Sequence, residues 1–475
     1  MKPNQMLVFF VLLSTALLGA NGLAELRFVE VQARLEGLPA GFRVESWTVA
    51  DLQGTGRPLL VLHGIWPGNF RLPLRERRPN EAIFVLAASR SGGKVVHSLG
   101  EQTSAPALPG GQAGGVVRIR VDQLHAVDID RDGRDELWIC RGPGEPDTIA
   151  RWRNGKLVQE PAPTPDMVRP RLLWGDFNGD GYTDLLFQGA VRVKGRIGVI
   201  DTQPPVLWMN REGTLERAGE PFSDTVRLNE AHVIDFNEDG RSDLLLGSPA
   251  QPSGPPTSTV WLSIDGVGRD DPAEATTLRF EPIPGPLCGG RPLPPVAALE
   301  VVGADLTGDG LRDFVVSGIA GGPSGDRSPL WLGYAKKNEE AGAGYCLQED
   351  PRLQPLGRDT RARLIPGDLD ADGDIDLLGV GGEAQNKSLI WIENEGGVLK
   401  NASGAVEDRG SLLSGLFSIH IVPFDFDGDG QQDFLCFPDR DAANAVLLMN
   451  RSRPASFDAR GETPRSVYTN DVMAR

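Results

Sequence analysis

Acidic residues recur in this 475-residue chain at a spacing suited to holding a cation. Six short loops place a side-chain oxygen at their first, third, fifth and ninth positions, with glycine at the sixth. The sets are Asp128, Asp130, Asp132 and Glu136; Asp176, Asn178, Asp180 and Asp184; Asp235, Asn237, Asp239 and Asp243; Asp305, Thr307, Asp309 and Asp313; Asp368, Asp370, Asp372 and Asp376; and Asp425, Asp427, Asp429 and Asp433. Alternate positions in a tight turn send their oxygens inward, and glycine permits the sharp bend. The seventh position adds a backbone carbonyl, and the acid at the ninth opens the next strand and can grip with both oxygens. Such a set has hard oxygen donors and no nitrogen or sulfur. It suits calcium, which accepts a flexible oxygen cage, better than magnesium, which asks for a stricter octahedron with several waters. Up to six calcium ions are expected. A seventh loop keeps Asp51 but has Gln53, Thr55 and Leu59 in the other slots, and no ion is expected there.

One acidic loop alone would read as a hydrogen-bonded turn. Six in register are a pattern. The chain carries 48 basic and 65 acidic residues, a net charge of −17, and six dications would offset most of it. Converging carboxylates repel one another without a cation, so metal and folding are expected to be coupled. So acidic a chain is a poor partner for nucleic acid, whose phosphates need a basic surface.

The elements that position these loops repeat as well. Each loop lies between two apolar stretches, and a third follows, often with tryptophan: Trp152, Trp208, Trp261, Trp331 and Trp391. Loop starts recur about every 60 residues with ragged insertions, so one structural unit is repeated. Glycine (59) and proline (37) make up about one residue in five, which suits short strands and many turns. The one weak helical candidate is Lys336–Ala341. A four-stranded sheet cannot bury both faces alone, whereas seven around an axis can. The tryptophans are then expected to pack between units. The segment Leu26–Leu35 is free to complete the last sheet, with the tail near Phe457 as the rival. The expectation is one all-β domain over 23–475, a seven-bladed β-propeller with calcium-binding loops.

Loop pattern, flanking strands and unit length resemble FG-GAP or VCBS-type repeats, like those of the integrin alpha-subunit head. The resemblance covers nearly all of the chain after its leader. It implies a seven-bladed propeller with calcium between the first and second strands of a blade, and partners on the opposite face.

Residues 1–22 read as an export signal: Lys2, an apolar run from Met6 to Ala20, then small residues before a cut. The mature chain is therefore expected to be secreted, periplasmic or extracellular, with no later membrane span. Cys288 and Cys346, in glycine-rich turns, are the candidate disulfide; Cys140 and Cys436 end apolar strands and read as buried thiols. Sequons stand at Asn386, Asn401 and Asn450. Five residues before each loop stands a polar residue: Ser46, Gln123, Arg171, Glu230, Glu300, Arg363 and His420. An apolar residue follows each, as in a strand that starts at a wet rim and turns inward. This ring is the candidate ligand site, and salt bridges Arg171–Glu230 and Glu300–Arg363 are the competing role. His125 and His232, three residues before their loops, are read as core histidines. No HExxH, GxSxG, CxxC or phosphate-binding glycine loop is present. The composite expectation is a secreted calcium-binding module for a protein or glycan at a cell surface. The alternative is a calcium-dependent, lyase-like polysaccharide enzyme using Arg171, Arg363 or His420.

Overall fold

The computed structural model describes residues 28–66, 80–89, 92–99, 121–141, 145–165, 167–192, 200–222, 226–228, 231–247, 259–264, 278–283, 296–306, 308, 313–320, 331–337, 345–349, 363–383, 386–401, 419–438 and 440–452. Residues 1–22, Glu230, Cys288, Thr307, Asp309 and the tail near Phe457 lie outside them.

The described strands form seven sheets, each a meander of neighbouring strands. The first sheet contains Arg43–Ala50, Leu59–Trp66, Asn80–Ser89 and Gly92–Leu99. The second contains Val121–Val127, Glu136–Arg141, Thr148–Arg153 and Lys156–Pro161. The third contains Val168–Gly175, Asp184–Arg192, Val206–Arg211 and Thr214–Gly219, with Ile200–Thr202 added beside its second strand. Ala231–Ile234, Asp243–Leu246, Thr259–Ile264 and Arg279–Ile283 make the fourth, and Val296–Ala304, Asp313–Ala320, Trp331–Lys337 and Tyr345–Glu349 the fifth. The sixth has Arg363–Gly367, Asp376–Glu383, Asn386–Asn394 and Leu399–Asn401. Ile419–Phe424, Asp433–Pro438 and Val446–Asn450 begin the last.

That last sheet is finished from the other end of the chain. Phe28–Gln32 pairs antiparallel with Val446–Asn450, Phe28 opposite Asn450. The N-terminal segment then does something the sequence did not suggest. After Ala33, Arg34–Glu36 pairs parallel with Gly92–Lys94 at the outer edge of the first sheet. One short segment thus borders both the last sheet and the first.

The second strands explain why both faces of a sheet are apolar. Glu136–Arg141 is buried throughout. Leu137 and Ile139 pack with Val61 and Val85 of the first sheet. Trp138 and Cys140, on the other face, pack with Leu172 and Trp208 of the third. The period of two is that of a strand between two neighbours. Phe177 and Leu207 meet Leu244 and Trp261 between the third and fourth sheets. Leu378 and Trp391 meet Ile421 and Phe434 between the sixth and the last. Leu435 and Leu447 of the last sheet meet Trp47, Leu62 and Phe84 of the first. Sheets stacked face to face, returning from last to first, make this all-β chain a β-propeller.

Trp208, Trp261 and Trp391 lie in the clusters between sheets, as expected, and Trp152 packs against another. Their register is not uniform. Trp208 and Trp261 pair with Leu185 and Leu244, the residues just after their ninth-position acids, whereas Trp391 sits one place off and faces the following sheet. Cys140 and Cys436 are buried thiols. Of the weak helical candidate Lys336–Ala341, Lys336 and Lys337 are instead in the strand Trp331–Lys337, opposite Cys346 and Tyr345, and 338–341 lie outside the described residues. The described residues contain a single helical turn, Ala442–Asn444.

Candidate functional site

Each acidic loop joins the first strand of a sheet to the second, so the loops share one side of the propeller. Their backbone is nearly invariant. The sixth position is left-handed in the five loops where it is described, with φ from 80° at Gly133 to 100° at Gly373. The fourth position is left-handed too: glycine at 179, 308 and 428, but Arg131 (58°), Glu238 (55°) and Ala371 (63°) elsewhere. The second position is an apolar plug. Leu52, Ile129, Phe177, Phe236, Leu306, Leu369 and Phe426 are all buried. The nine-residue pattern reads as loop throughout, and the core role of this slot emerges only from the fold.

The first-position carboxylate folds the turn. Its Oδ2 accepts the N–H of the sixth-position glycine, as Asp128 from Gly133 (3.0 Å), Asp176 from Gly181 (2.7 Å) and Asp425 from Gly430 (3.0 Å). The ninth-position acid staples the loop to its sheet. One oxygen accepts the N–H of the plug residue, at 2.8 to 3.1 Å in all six loops. In Asp184, Asp243, Asp376 and Asp433 the other oxygen accepts a third-strand N–H at 2.7 Å, from Asn210, Ser263, Asn394 and Asn450. Those carboxylates already hold two backbone groups. Each oxygen retains a second lone pair for a cation.

Three loops bring ligand atoms within 4.8 Å of one another: Asp128, Asp130 and Glu136; Asp368, Asp370 and Asp372; and Asp425, Asp427 and Asp433. Oδ1 of Asp128, Asp235, Asp368 and Asp427 is buried without a hydrogen-bond partner. Burial, reinforced by neighbouring carboxylates, raises Glu136, Asp184, Asp243, Asp370 and Asp433 to about 7 and Asp376 to about 8. Hydrogen bonds from backbone N–H groups oppose the rise at these sites, without cancelling it. Inward, partnerless carboxylate oxygens, in loops whose ninth-position acids have raised proton affinity, are what a hard dication fits. Calcium would be held by these oxygens and would neutralise the loop. In the fifth loop the side chains of Asp305 and Asp313 alone among the expected ligands are described.

The first loop has the same turn without the acids. Asp51 accepts from Thr55 (3.1 Å) and Gly56 (2.6 Å), and Leu59, in the ninth position, joins the apolar core. The loops also touch each other. Asp135 donates its N–H to the Asp51 carbonyl (3.0 Å), and Ser242 donates to that of Asp176 (2.7 Å).

Two arginines missed in the sequence enter these loops. Arg151 Nη1 donates to Asp130 Oδ2 (2.9 Å) and Glu136 Oε1 (3.0 Å). Arg451 donates from Nη2 to Asp427 Oδ2 (2.6 Å) and from Nη1 to Asp429 Oδ2 (2.9 Å).

The polar ring is only partly described. Ser46, Gln123 and Arg171 are half-buried. Glu300, Arg363 and His420 are placed on their first strands by backbone alone, and Glu230 is outside the described residues. Four of the six members placed by their backbone share a feature that spacing could not reveal, and Arg363 and His420 do not. A register irregularity immediately precedes Ser46, Gln123, Arg171 and Glu300. Such bulges bend a strand and re-aim its side chains. His125 is buried, its Nε2 has no hydrogen-bond partner, and burial lowers its pKa to about 4, as suits a neutral core histidine. His232 is half-buried. The disulfide candidate lies outside the described side chains: Cys346 sits on the strand Tyr345–Glu349, and Cys288 is not described.

Among the described residues no helix is long and apolar enough to cross a membrane. No curated protein sequence matches the chain. Among solved structures it is similar to the exotype rhamnogalacturonan lyase YesX, at 12% identity and TM-score 0.38, over 90% of this chain and 76% of that one. It is similar also to the rhamnogalacturonan lyase YesW, at 11% identity and TM-score 0.38, over 89% of this chain and 75% of that one. Likeness at this level is too low to carry a substrate or a reaction across. The family model of the FG-GAP-like repeat matches residues 128–187 and 368–467, which include the second, third, sixth and last acidic loops. The chain is a β-propeller with FG-GAP-like repeats over residues 128–187 and 368–467.

Proposed function

We propose that this protein is an exported, calcium-binding propeller of seven blades that serves as a binding or scaffold module for a protein or glycan at or outside the cell surface. The blade count is supported by the seven sheets and by the apolar cluster joining the last to the first. The observation that carries the calcium reading is the set of buried, partnerless Oδ1 atoms at Asp128, Asp235, Asp368 and Asp427. Six acidic loops on one side are committed to the fold, and this leaves the opposite rim for a partner. The bulges before Ser46, Gln123, Arg171 and Glu300 favour that rim. Export is supported by the leader pattern over 1–22.

The test is thermal unfolding of the mature chain, stripped with chelator and titrated with calcium, alongside metal analysis. One site at a hundredfold its dissociation constant adds about 2.7 kcal/mol, so several sites raise the midpoint by many degrees. An unchanged midpoint together with no bound calcium overturns the metal reading. Binding to glycan and cell-surface protein arrays, with and without Arg171→Ala, tests the rim. Loss of binding without loss of stability supports it, and product release from a polysaccharide would replace the module by an enzyme.

A further inference from the structure

The sixth loop and the last are the same device with opposite electrostatic company. Each has four aspartates in the ligand slots. Each is stapled by its ninth-position acid to an asparagine that ends the third strand, Asn394 in one and Asn450 in the other. The next residue differs: Glu395 after Asn394, Arg451 after Asn450. Arg451 reaches back over its loop and binds Asp427 Oδ2 and Asp429 Oδ2 at 2.6 and 2.9 Å. Glu395 turns to Lys400, and among the described residues no guanidinium or ammonium is bonded to Asp368, Asp370, Asp372 or Asp376. The second loop reaches the same end by another route. Its third strand has Trp152 in the register of Asn450, so no asparagine staple forms; Arg151, one place earlier, binds Asp130 and Glu136 instead.

We propose that Arg151 and Arg451 are resident counter-ions that hold the second and last loops closed without metal and set their affinity for calcium below that of the arginine-free sixth loop. This inference rests on the calcium reading above. The physical ground is direct. A guanidinium on a carboxylate satisfies the charge that would otherwise demand a cation, and it repels a dication seated a few ångströms away. Arg451 leaves Asp427 Oδ1 without a hydrogen-bond partner, so the last loop keeps a place for an ion while its outer oxygens are taken. The loops therefore fall into two affinity classes, and one arginine substitution moves a loop between them.

The experiment is calorimetric titration of the chelator-stripped full chain with calcium, with stoichiometry checked by native mass spectrometry. Arg451→Gln and Arg151→Gln are each expected to tighten one site at least tenfold and to lower the unfolding midpoint in chelator, with calcium restoring it. Arg451→Lys keeps a charge and should lie between. The reverse change, Glu395→Arg, should weaken one tight site at least tenfold. Sites unchanged in number and affinity in the glutamine variants and in Glu395→Arg, while the wild type binds calcium, overturn the inference and leave the calcium reading intact. No calcium in wild type but one ion in a glutamine variant supports the arginine role and limits the calcium reading. No calcium in any variant overturns both.

Discussion

Asn450 donates its side-chain N–H to the carbonyl of Leu369, 81 positions earlier, at 2.8 Å. Leu369 is the buried plug of the sixth loop, so this bond ties the last sheet to the loop of the sheet before it. The same clip recurs: Asn394 Nδ2 bonds the Leu306 carbonyl at 2.8 Å, and Asn210 Nδ2 that of Ile129 at 2.7 Å. One asparagine therefore serves two sheets. Its backbone N–H binds the ninth-position acid of its own loop, and its amide reaches the plug of the preceding loop. Acidic loop and blade stacking are in this way one network, so emptying a loop should weaken an interface as well as a turn.

Asn450→Ala should test that network. It leaves the Leu369 carbonyl buried without its donor, at a cost of about 1–3 kcal/mol. Chemical denaturation should show that loss with little change in slope. A loss below about 0.5 kcal/mol, the low end for an ordinary hydrogen bond, would mean the clip is incidental. Asn450 is also the acceptor of a sequon, but its side chain is buried and its amide engaged. Mass spectrometry of protein made in a glycosylating host should find no glycan there.

Ala371 occupies a left-handed backbone position where three of the other acidic loops have glycine. A side chain in that conformation costs roughly 1–2 kcal/mol, partly offset by the greater freedom glycine has when unfolded. Ala371→Gly should therefore stabilise the chain by about 0.5–1 kcal/mol, and more clearly in chelator than in calcium. A midpoint that falls would show that the cost is already relieved by neighbouring contacts.

How much of this was legible in the residues follows from what each level of structure depends on. The acidic loops were legible as turns because their hydrogen bonds are local and a nine-residue pattern reports them. Strand alternation was legible for the same reason. Closure by Phe28–Gln32 was one of two candidates, because either chain end can supply an edge strand and only pairing decides. The parallel step at Arg34–Glu36 was not legible, since nothing in three residues names an edge almost 60 positions away. The Asn210, Asn394 and Asn450 clips were written in the sequence as an asparagine at or next to the end of three of the third strands, but they read as turn residues until the partner carbonyl is known. Arg151 and Arg451 lie 15 and 24 positions from residues they bind, and neither has a fixed spacing that would announce it. The polar ring was read from spacing alone, and the bulges before it came from pairing register.

His125 predicts an acid limit. It sits opposite Trp138 in the second sheet, buried, and burial lowers its pKa from 6.5 to about 4. The unfolded chain binds the proton first, so stability from this group is full above pH 6.5 and is lost as pH falls towards 4. A gap of that size between the folded and unfolded proton affinities amounts to about 3 kcal/mol once the ring is charged in both states. His125→Leu should flatten the stability profile between pH 6.5 and 4. An unchanged slope would place the acid sensitivity elsewhere.

The loop carboxylates predict the opposite slope in the metal-free protein. Burial raises Asp184, Asp243, Asp370 and Asp433 to about 7 and Asp376 to about 8, while unfolded aspartates titrate near 4. The folded state then binds more protons than the unfolded one, so this contribution is fully present below pH 4 and is lost as pH rises through 7 to 8. In chelator, the His125→Leu variant, freed of the histidine's own slope, should melt higher at about pH 5.5 than at about pH 7.5. Saturating calcium should reverse the order, because the ion takes the place of the protons and binds the ionised form. A midpoint in chelator that rises over the same interval would show that the loop carboxylates are ionised and tolerated without a cation, and the coupling of metal to folding argued from their burial would not hold.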